Sequence, residues 1–164
     1  MSDLYDFVIK LRAIREYREE PLSNEDLEAI LEAGRWTGSS KNDQAWAFIA
    51  ITDSQRLAGL AKLGNYTKPI ENSVAAIVLV QEKAGNPFDI GRAAQNMMLA
   101  AKAVGVASCP VTLQDSEAAR RFVGAPEGST VRYAISLGYP SETSAPGQRG
   151  GRKEVRDIVK RDRY

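Results

Sequence analysis

Residues 89–111 read DIGRAAQNMMLAAKAVGVASCPV, and this stretch decides how the rest of the chain is organised. No proline interrupts a helix from Asp89 to Val104, and Gly105 ends it; Val106–Val111 then reads as a strand. After the first turn, Ala93, Ala94, Met97, Met98, Leu99, Ala100, Ala101, Ala103 and Val104 cover most of the helix circumference. A helix apolar nearly all round has to be buried nearly all round. Two arrangements satisfy that. One is the central core helix of a monomer. The other is a seam between two copies, where alanines permit close approach and methionines fill irregular gaps. In a chain of 164 residues the seam is the better account, because so small a domain can hardly cover every side of the helix.

Working outward, Val74–Val80 is a continuous apolar run, as expected of a strand covered on both faces, and Gly85, Asn86 and Pro87 turn the chain into the helix. Trp46–Ile51 reads as a strand and Ser54–Leu63 as a short helix stopped by Gly64. Asp3–Tyr17 has Leu4, Phe7, Leu11 and Ile14 at three- and four-residue steps, which predicts an amphipathic helix. Pro21 breaks it. Ser23 with Asp26 resembles a capping box, Leu27, Ile30 and Leu31 supply the next apolar stripe, and Gly34 is a plausible end. On the C-terminal side, Ser116–Val123 is helical and Thr130–Leu137 a strand. Gly138–Arg152 is a Gly-, Pro- and Ser-rich arm, and Lys153–Arg161 has helical character. Two helices come first and strict alternation is not obeyed, so the fold class is α+β, helices around a central sheet.

Composition narrows the chemistry. Apolar residues make up 43% and charged residues 26%, and 22 basic against 21 acidic side chains leave a formal charge of +1. No global field favours nucleic acid or a membrane. Histidine is absent and Cys109 is the one cysteine, which removes Ser-His and Cys-His catalysis, histidine metal sites and any intrachain disulfide. Cys109 lies in an apolar strand and reads as a small buried hydrophobe. Met1–Asp6 carries two acids with no apolar region behind it, so a cytoplasmic protein is expected. Neither a phosphate loop nor a dinucleotide fingerprint occurs. The enzyme reading that remains is a cofactor bringing its own reactivity.

Three segments suit an anionic, planar ligand. Arg12 and Arg15 would share one face of the first helix and grip a phosphate and a polar ring edge, the alternative being two solvated arginines. Thr37–Trp46 offers serine, asparagine and glutamine donors and acceptors, as an ordinary polar loop also would. Gln148-Arg149-Gly150-Gly151-Arg152-Lys153 combines glycines with cations, as mobile basic arms do.

Taken in order, these pieces resemble the nitroreductase family of flavoproteins over nearly the whole chain. The family's R-R-S-x-R-x-F opening falls on Leu11–Tyr17, and its A-P-S-x-x-N-x-Q-P-W segment is rendered by Trp36–Trp46. The alanine-rich helix with Gly105-Val106-Ala107-Ser108 is similar to A-A-x-x-x-G-x-G-S. Leu137-Gly138-Tyr139-Pro140 matches L-G-Y-P, and Gly151-Arg152-Lys153 resembles the basic C-terminal motif. The resemblance implies one FMN-binding domain over residues 1–164 with 138–152 as an arm. It also implies a central mixed, mainly antiparallel sheet flanked by helices, and an interlocked homodimer with FMN at the interface. Arg12, Ala13 and Arg15 would hold the phosphate side and pyrimidine edge, Arg15 acting electrostatically. Gly38, Ser39, Ser40 and Asn42 would come from the partner subunit, with Gln44 close behind. Asn65 and Lys68 would touch the ring, and Pro110, Val111, Thr112 and Leu113 would lie along it, the Thr112 amide near the hydride-accepting nitrogen. Arg152, with Lys153, would pair with the phosphate.

The implied activity is hydride transfer from NAD(P)H through FMN to a nitroaromatic or quinone, in ping-pong fashion and without a metal. Family alternatives are a dehydrogenase, a dehalogenase or a flavin-consuming enzyme; outside catalysis, a flavin-binding dimeric module. Leu11 and Ala13 depart from the opening motif, and Gly38 and Ala45 replace two prolines, which leaves the ligand loop less rigid.

Overall fold

The computed structural model describes residues 3–145 and 151–164. Among these residues four strands form one sheet: β1 (Trp46–Ile51), β2 (Ala75–Gln81), β3 (Ala107–Thr112) and β4 (Thr130–Gly138). They lie in the order β1-β2-β4-β3 and all three pairings are antiparallel. Helices cover both faces, as the α+β reading expects. On one side are α2 (Asn24–Arg35) and α5 (Pro87–Ala103). On the other are α3 (Ser54–Ala61), the single turn α4 (Lys68–Glu71) and α6 (Ser116–Val123).

Period-two alternation divides the core. In β2, Ala75, Ile77 and Leu79 face α2 and α5, while Ala76, Val78 and Val80 face the other layer, so the continuous apolar run is explained by two covers. In β4, Val131 and Ala134 share a face although they stand three positions apart. The reason is a register irregularity opposite Leu79 and Gln81, which adds one residue to the strand. On α5, Ile90, Ala93, Met97 and Ala101 make the buried stripe. Met98, Leu99 and Ala100 remain partly open in the single chain.

Helix starts follow local chemistry. Ser23 Oγ accepts the Asp26 N–H at 3.0 Å, and Asp53 and Asp115 cap α3 and α6 in the same way. The reciprocal half of the expected capping box is supplied from elsewhere. Ser23 N–H donates to Tyr139 Oη at 3.4 Å, and Tyr139 in turn donates to Asp26 at 2.5 Å. Gly34 does not end α2, which runs on to Arg35. A Cβ there would stand 2.9 Å from Met97 Sδ, so the glycine serves close approach of α2 to α5.

The first helix is shorter than its periodicity predicts. α1 spans Asp3–Ile9, and Leu11–Glu16 runs outside it along the edge of β3, where Ile14 N–H donates to Ser108 O at 3.0 Å. Tyr17 then bridges to Pro140 beyond β4. A tertiary partner for the backbone overrides a helical pattern, because sheet-edge carbonyls need donors. The C-terminal helix is likewise only one turn, α7 (Val155–Ile158).

Candidate functional site

The free edge of β3 is where the candidate residues begin to gather. Leu113 N–H donates inward to Arg132 O at 2.8 Å, whereas Ser108 O faces outward to Ile14. Main-chain groups alternate along an antiparallel strand, so Ser108, Pro110 and Thr112 turn theirs away from β4. Proline at 110 therefore costs no ladder bond, and the Thr112 N–H points to the sheet edge. Side chains alternate too. Pro110 is exposed and Thr112 half-buried, while Val111 and Leu113 are buried in the core facing α3, α4 and α6. Of the row Pro110–Leu113, two residues present groups to the open edge and two do not.

The extended course of Leu11–Glu16 separates the two arginines that a helix would have placed together. Arg12 donates to the carbonyls of Ile9 and Leu11, both at 2.7 Å, which satisfies the end of α1. With Lys10, Lys102 and Ser108 it lines a small cavity of about 120 Å³. Arg15 lies beside the Cys109 thiol, partly offsetting the burial that pushes this thiol above its usual range. Cys109 is thus a protonated core residue, not a nucleophile. Ala13 packs between them against the core.

Behind this edge, Tyr17 Oη donates to Ile14 O at 2.8 Å and pairs with Ser136 Oγ at 2.8 Å. Burial holds its phenol well above the ordinary value.

The α3–α4 connection forms the next lip. Asn65 N–H donates to Gln114 Oε1 at 2.9 Å, and a Cβ on Gly64 would stand 3.0 Å from Thr112 O. Asn65 is thereby brought to the end of β3, as is the start of α4. Lys68 is exposed and paired with Glu71 at 3.0 Å, and Asn72 at the end of α4 donates to Arg15 O at 3.5 Å. Between α5 and the sheet opens an apolar cleft of about 310 Å³, lined in part by Ile90, Gly91, Ala94, Pro110 and Tyr133. Tyr133 is the register partner of Thr112.

Gly38–Gln44 lies elsewhere. It leads into β1, the edge opposite β3, and two strands intervene; at an inter-strand spacing of about 4.8 Å the edges are roughly 14 Å apart. Gln44 N–H donates to Ser39 Oγ at 2.9 Å, and Lys41, Asn42 and Gln44 have φ of 52, 59 and 49°. The loop is anchored from α5: Asn96 donates to Thr37 Oγ1, Arg92 to Gly38 O, and Ser40 N–H to Asp89. None of these three α5 residues was singled out by sequence pattern, although Arg92 and Asn96, like Gln95 and Lys102, interrupt a largely apolar run. Arg152 and Lys153 stand exposed before α7; Gln148, Arg149 and Gly150 lie outside the described residues. One chain therefore brings Arg12, Ala13, Arg15, Asn65, Lys68, Pro110 and Thr112 to one edge and Gly38, Ser39, Ser40, Asn42 and Gln44 to the other.

The sequence profile of the nitroreductase family matches residues 10–84 and 79–139. A relative in Archaeoglobus fulgidus, provisionally named an NADH dehydrogenase/NAD(P)H nitroreductase, is 30% identical over 153 residues, covering 87% of this chain and 88% of its own. The NADPH-flavin oxidoreductase of Vibrio harveyi is 25% identical over 162 residues, covering 87% of this chain and 68% of its own. Among solved structures, an FMN-dependent nitroreductase of Clostridium difficile R20291 superposes with a TM-score of 0.84 at 25% identity, covering 96% of this chain and 98% of its own. Among the described residues, no helix is long and apolar enough to cross a membrane.

Proposed function

The chain belongs to the nitroreductase family, and on that premise we propose that it is an NAD(P)H-dependent FMN oxidoreductase reducing a small acceptor such as a nitroaromatic or quinone. The observation that carries this reading is the open edge of β3, where an outward N–H at Thr112 is flanked by the bare ring of Pro110 and, nearer the N-terminal segment, by Arg15.

The residues present fit FMN. A phosphate needs cations, and Arg12 with Lys10 lines the small cavity beside Ser108. A ring with a polar and an apolar edge needs donors on one side and uncharged surface on the other. Arg15, Asn65 and Lys68 supply the first, Pro110 and the apolar cleft the second. Arg152 and Lys153, on the C-terminal segment, are further cations for the phosphate.

When bound, FMN supplies the redox chemistry itself, accepting hydride from NAD(P)H and delivering it to the acceptor. The chain orients and polarises. Thr112 N–H would be the hydrogen-bond donor toward the ring, and Arg15 would supply positive charge on its pyrimidine side. A single cleft beside Pro110 admits donor and acceptor in turn, which is the basis of ping-pong kinetics.

Two copies complete the site. The Ser39, Ser40 and Asn42 groups stand at the edge away from β3, so they reach a flavin only on another subunit. The partly open Met98, Leu99 and Ala100 on α5 give that subunit an apolar surface to meet.

The test is the visible spectrum of the purified protein under nitrogen. A flavin band that bleaches on adding NADPH or NADH and returns with a quinone or nitroaromatic is expected. A colourless preparation that takes up no added FMN would overturn the reading.

A further inference from the structure

Helix α5 carries one polar stripe. Asp89, Arg92 and Asn96 follow each other at steps of three and four, hence on one face, and each is bonded to the Thr37–Asn42 loop. Ser40 N–H donates to Asp89 Oδ2 at 2.9 Å. Arg92 Nη1 donates to Gly38 O at 3.1 Å and stands 3.7 Å from Asp89 Oδ1. Asn96 Nδ2 donates to Thr37 Oγ1 at 2.8 Å. Asp89 is only 6% exposed, an unusual place for a carboxylate unless a partner requires it.

What the stripe holds is a backbone that would not hold itself. Lys41, Asn42 and Gln44 all occupy the left-handed region, which is unfavourable for residues with a Cβ. Yet the loop packs little of its own surface. Ser40, Lys41 and Asn42 are exposed, and the Ser40 hydroxyl and Asn42 carboxamide make no hydrogen bond among the described residues. Strain kept in a loop whose polar side chains are left free is characteristic of a ligand site.

We propose that Asp89, assisted by Arg92, is a positioning residue for the flavin, fixing the Gly38–Asn42 backbone so that Ser40 and Asn42 arrive already arranged at the cofactor of the second copy. This rests on the flavin reading above. Without the clamp, the loop has to be ordered at the moment of binding, and affinity falls by that cost. Asp89 does this without touching the cofactor itself. Asp89→Asn retains an oxygen to accept the Ser40 N–H, whereas Asp89→Ala retains none.

The experiment is titration of the full-length apoprotein with FMN, followed by quenching of flavin fluorescence, together with the thermal midpoint of each variant. Asp89→Ala is expected to raise the Kd for FMN about tenfold or more and to move the bound-flavin spectrum toward that of free FMN, with Asp89→Asn recovering most of the loss. Leu57→Ala, in the core on the far face of the sheet, serves as a control of comparable destabilisation and should bind within about twofold of the parent. Parental affinity in Asp89→Ala, or an equal loss in Leu57→Ala, overturns the proposal. Should Asp89→Ala not fold, Ser40→Pro removes the same N–H at a site where Ser39 is already extended, with φ −130° and ψ 162°. It should bind FMN about tenfold more weakly than Ser40→Ala, and equal affinities would refute the clamp. A parent protein that binds no FMN would instead refute the flavin reading itself.

Discussion

A methyl group added to Gly138 would lie 2.7 Å from Tyr17 Cβ, so the end of β4 and the N-terminal segment are packed as one surface. The tyrosine hydroxyl reaches past the glycine to Ser136, and its backbone bridges to Pro140. Arg15 is carried by the same segment. Gly138→Ala should therefore push Tyr17 outward and cost about 1–3 kcal/mol, the usual range for overpacking. The expected result is a lower thermal midpoint together with weaker FMN retention, because Arg15 moves with Tyr17. A variant as stable as the parent would show that the segment yields without loss.

Tyr17 also predicts how the protein responds to alkali. Burial raises its phenol above the ordinary value near 10, so the folded state keeps its proton at a pH where the unfolded chain has lost one. With fewer protons bound to the unfolded state, stability falls as pH rises above about 10. Cys109, raised by the same cause, acts in the same direction above about 9. Tyr17→Phe loses the hydrogen bonds to Ile14 and Ser136 and should be less stable near neutrality. Its stability should decline less steeply from pH 9.5 to 11, read from urea unfolding at each pH. Parallel decline in the two proteins would remove Tyr17 from the account.

Sequence patterns reported structure wherever the local partner was also the tertiary one. Ser116–Val123 was readable residue by residue, since its aspartate cap comes from the adjoining position, and the apolar run Trp46–Ile51 has the bounds expected of it. Leu4, Phe7, Leu11 and Ile14 misled because a helix and an edge segment compete for Ile14, and β3 won it through Ser108. Gly34 looked like a terminator and is a contact point with Met97. At the site, the alternation that separates Pro110 and Thr112 from Val111 and Leu113 was implicit in the strand, but its phase depended on which edge was free. The bond between Ser40 and Asp89, 49 positions apart in sequence, left no local trace.

Helix α5 offers a direct test of assembly. Leu99 is partly open in the single chain and lies among Met98 and Ala100, where a second copy would cover it. Leu99→Lys places a charge in that seam and should leave the subunit fold nearly intact, since such a surface change typically costs a subunit about 0.5 kcal/mol or less. The seam should not tolerate it, because an unpaired buried charge costs several kcal/mol. Sedimentation should find monomers, and flavin should be lost with the partner's loop. A dimer of unchanged affinity would place the seam elsewhere.

The sharpest test of the β3 edge uses proline where proline is already tolerated. Pro110 and Thr112 occupy equivalent positions, both turned away from β4, so Thr112→Pro removes an N–H that the sheet does not use. Thr112→Ala removes the side chain and keeps the N–H. If that N–H serves the reacting edge of the flavin, the proline variant should fold with a near-parental thermal midpoint and be reduced by NAD(P)H about ten- to a hundredfold more slowly, the scale of one charge-assisted hydrogen bond. The alanine variant should stay close to the parent. Stopped-flow bleaching of the flavin band separates the two, and equal rates in both variants would mean that Thr112 contributes no hydrogen bond to the reaction.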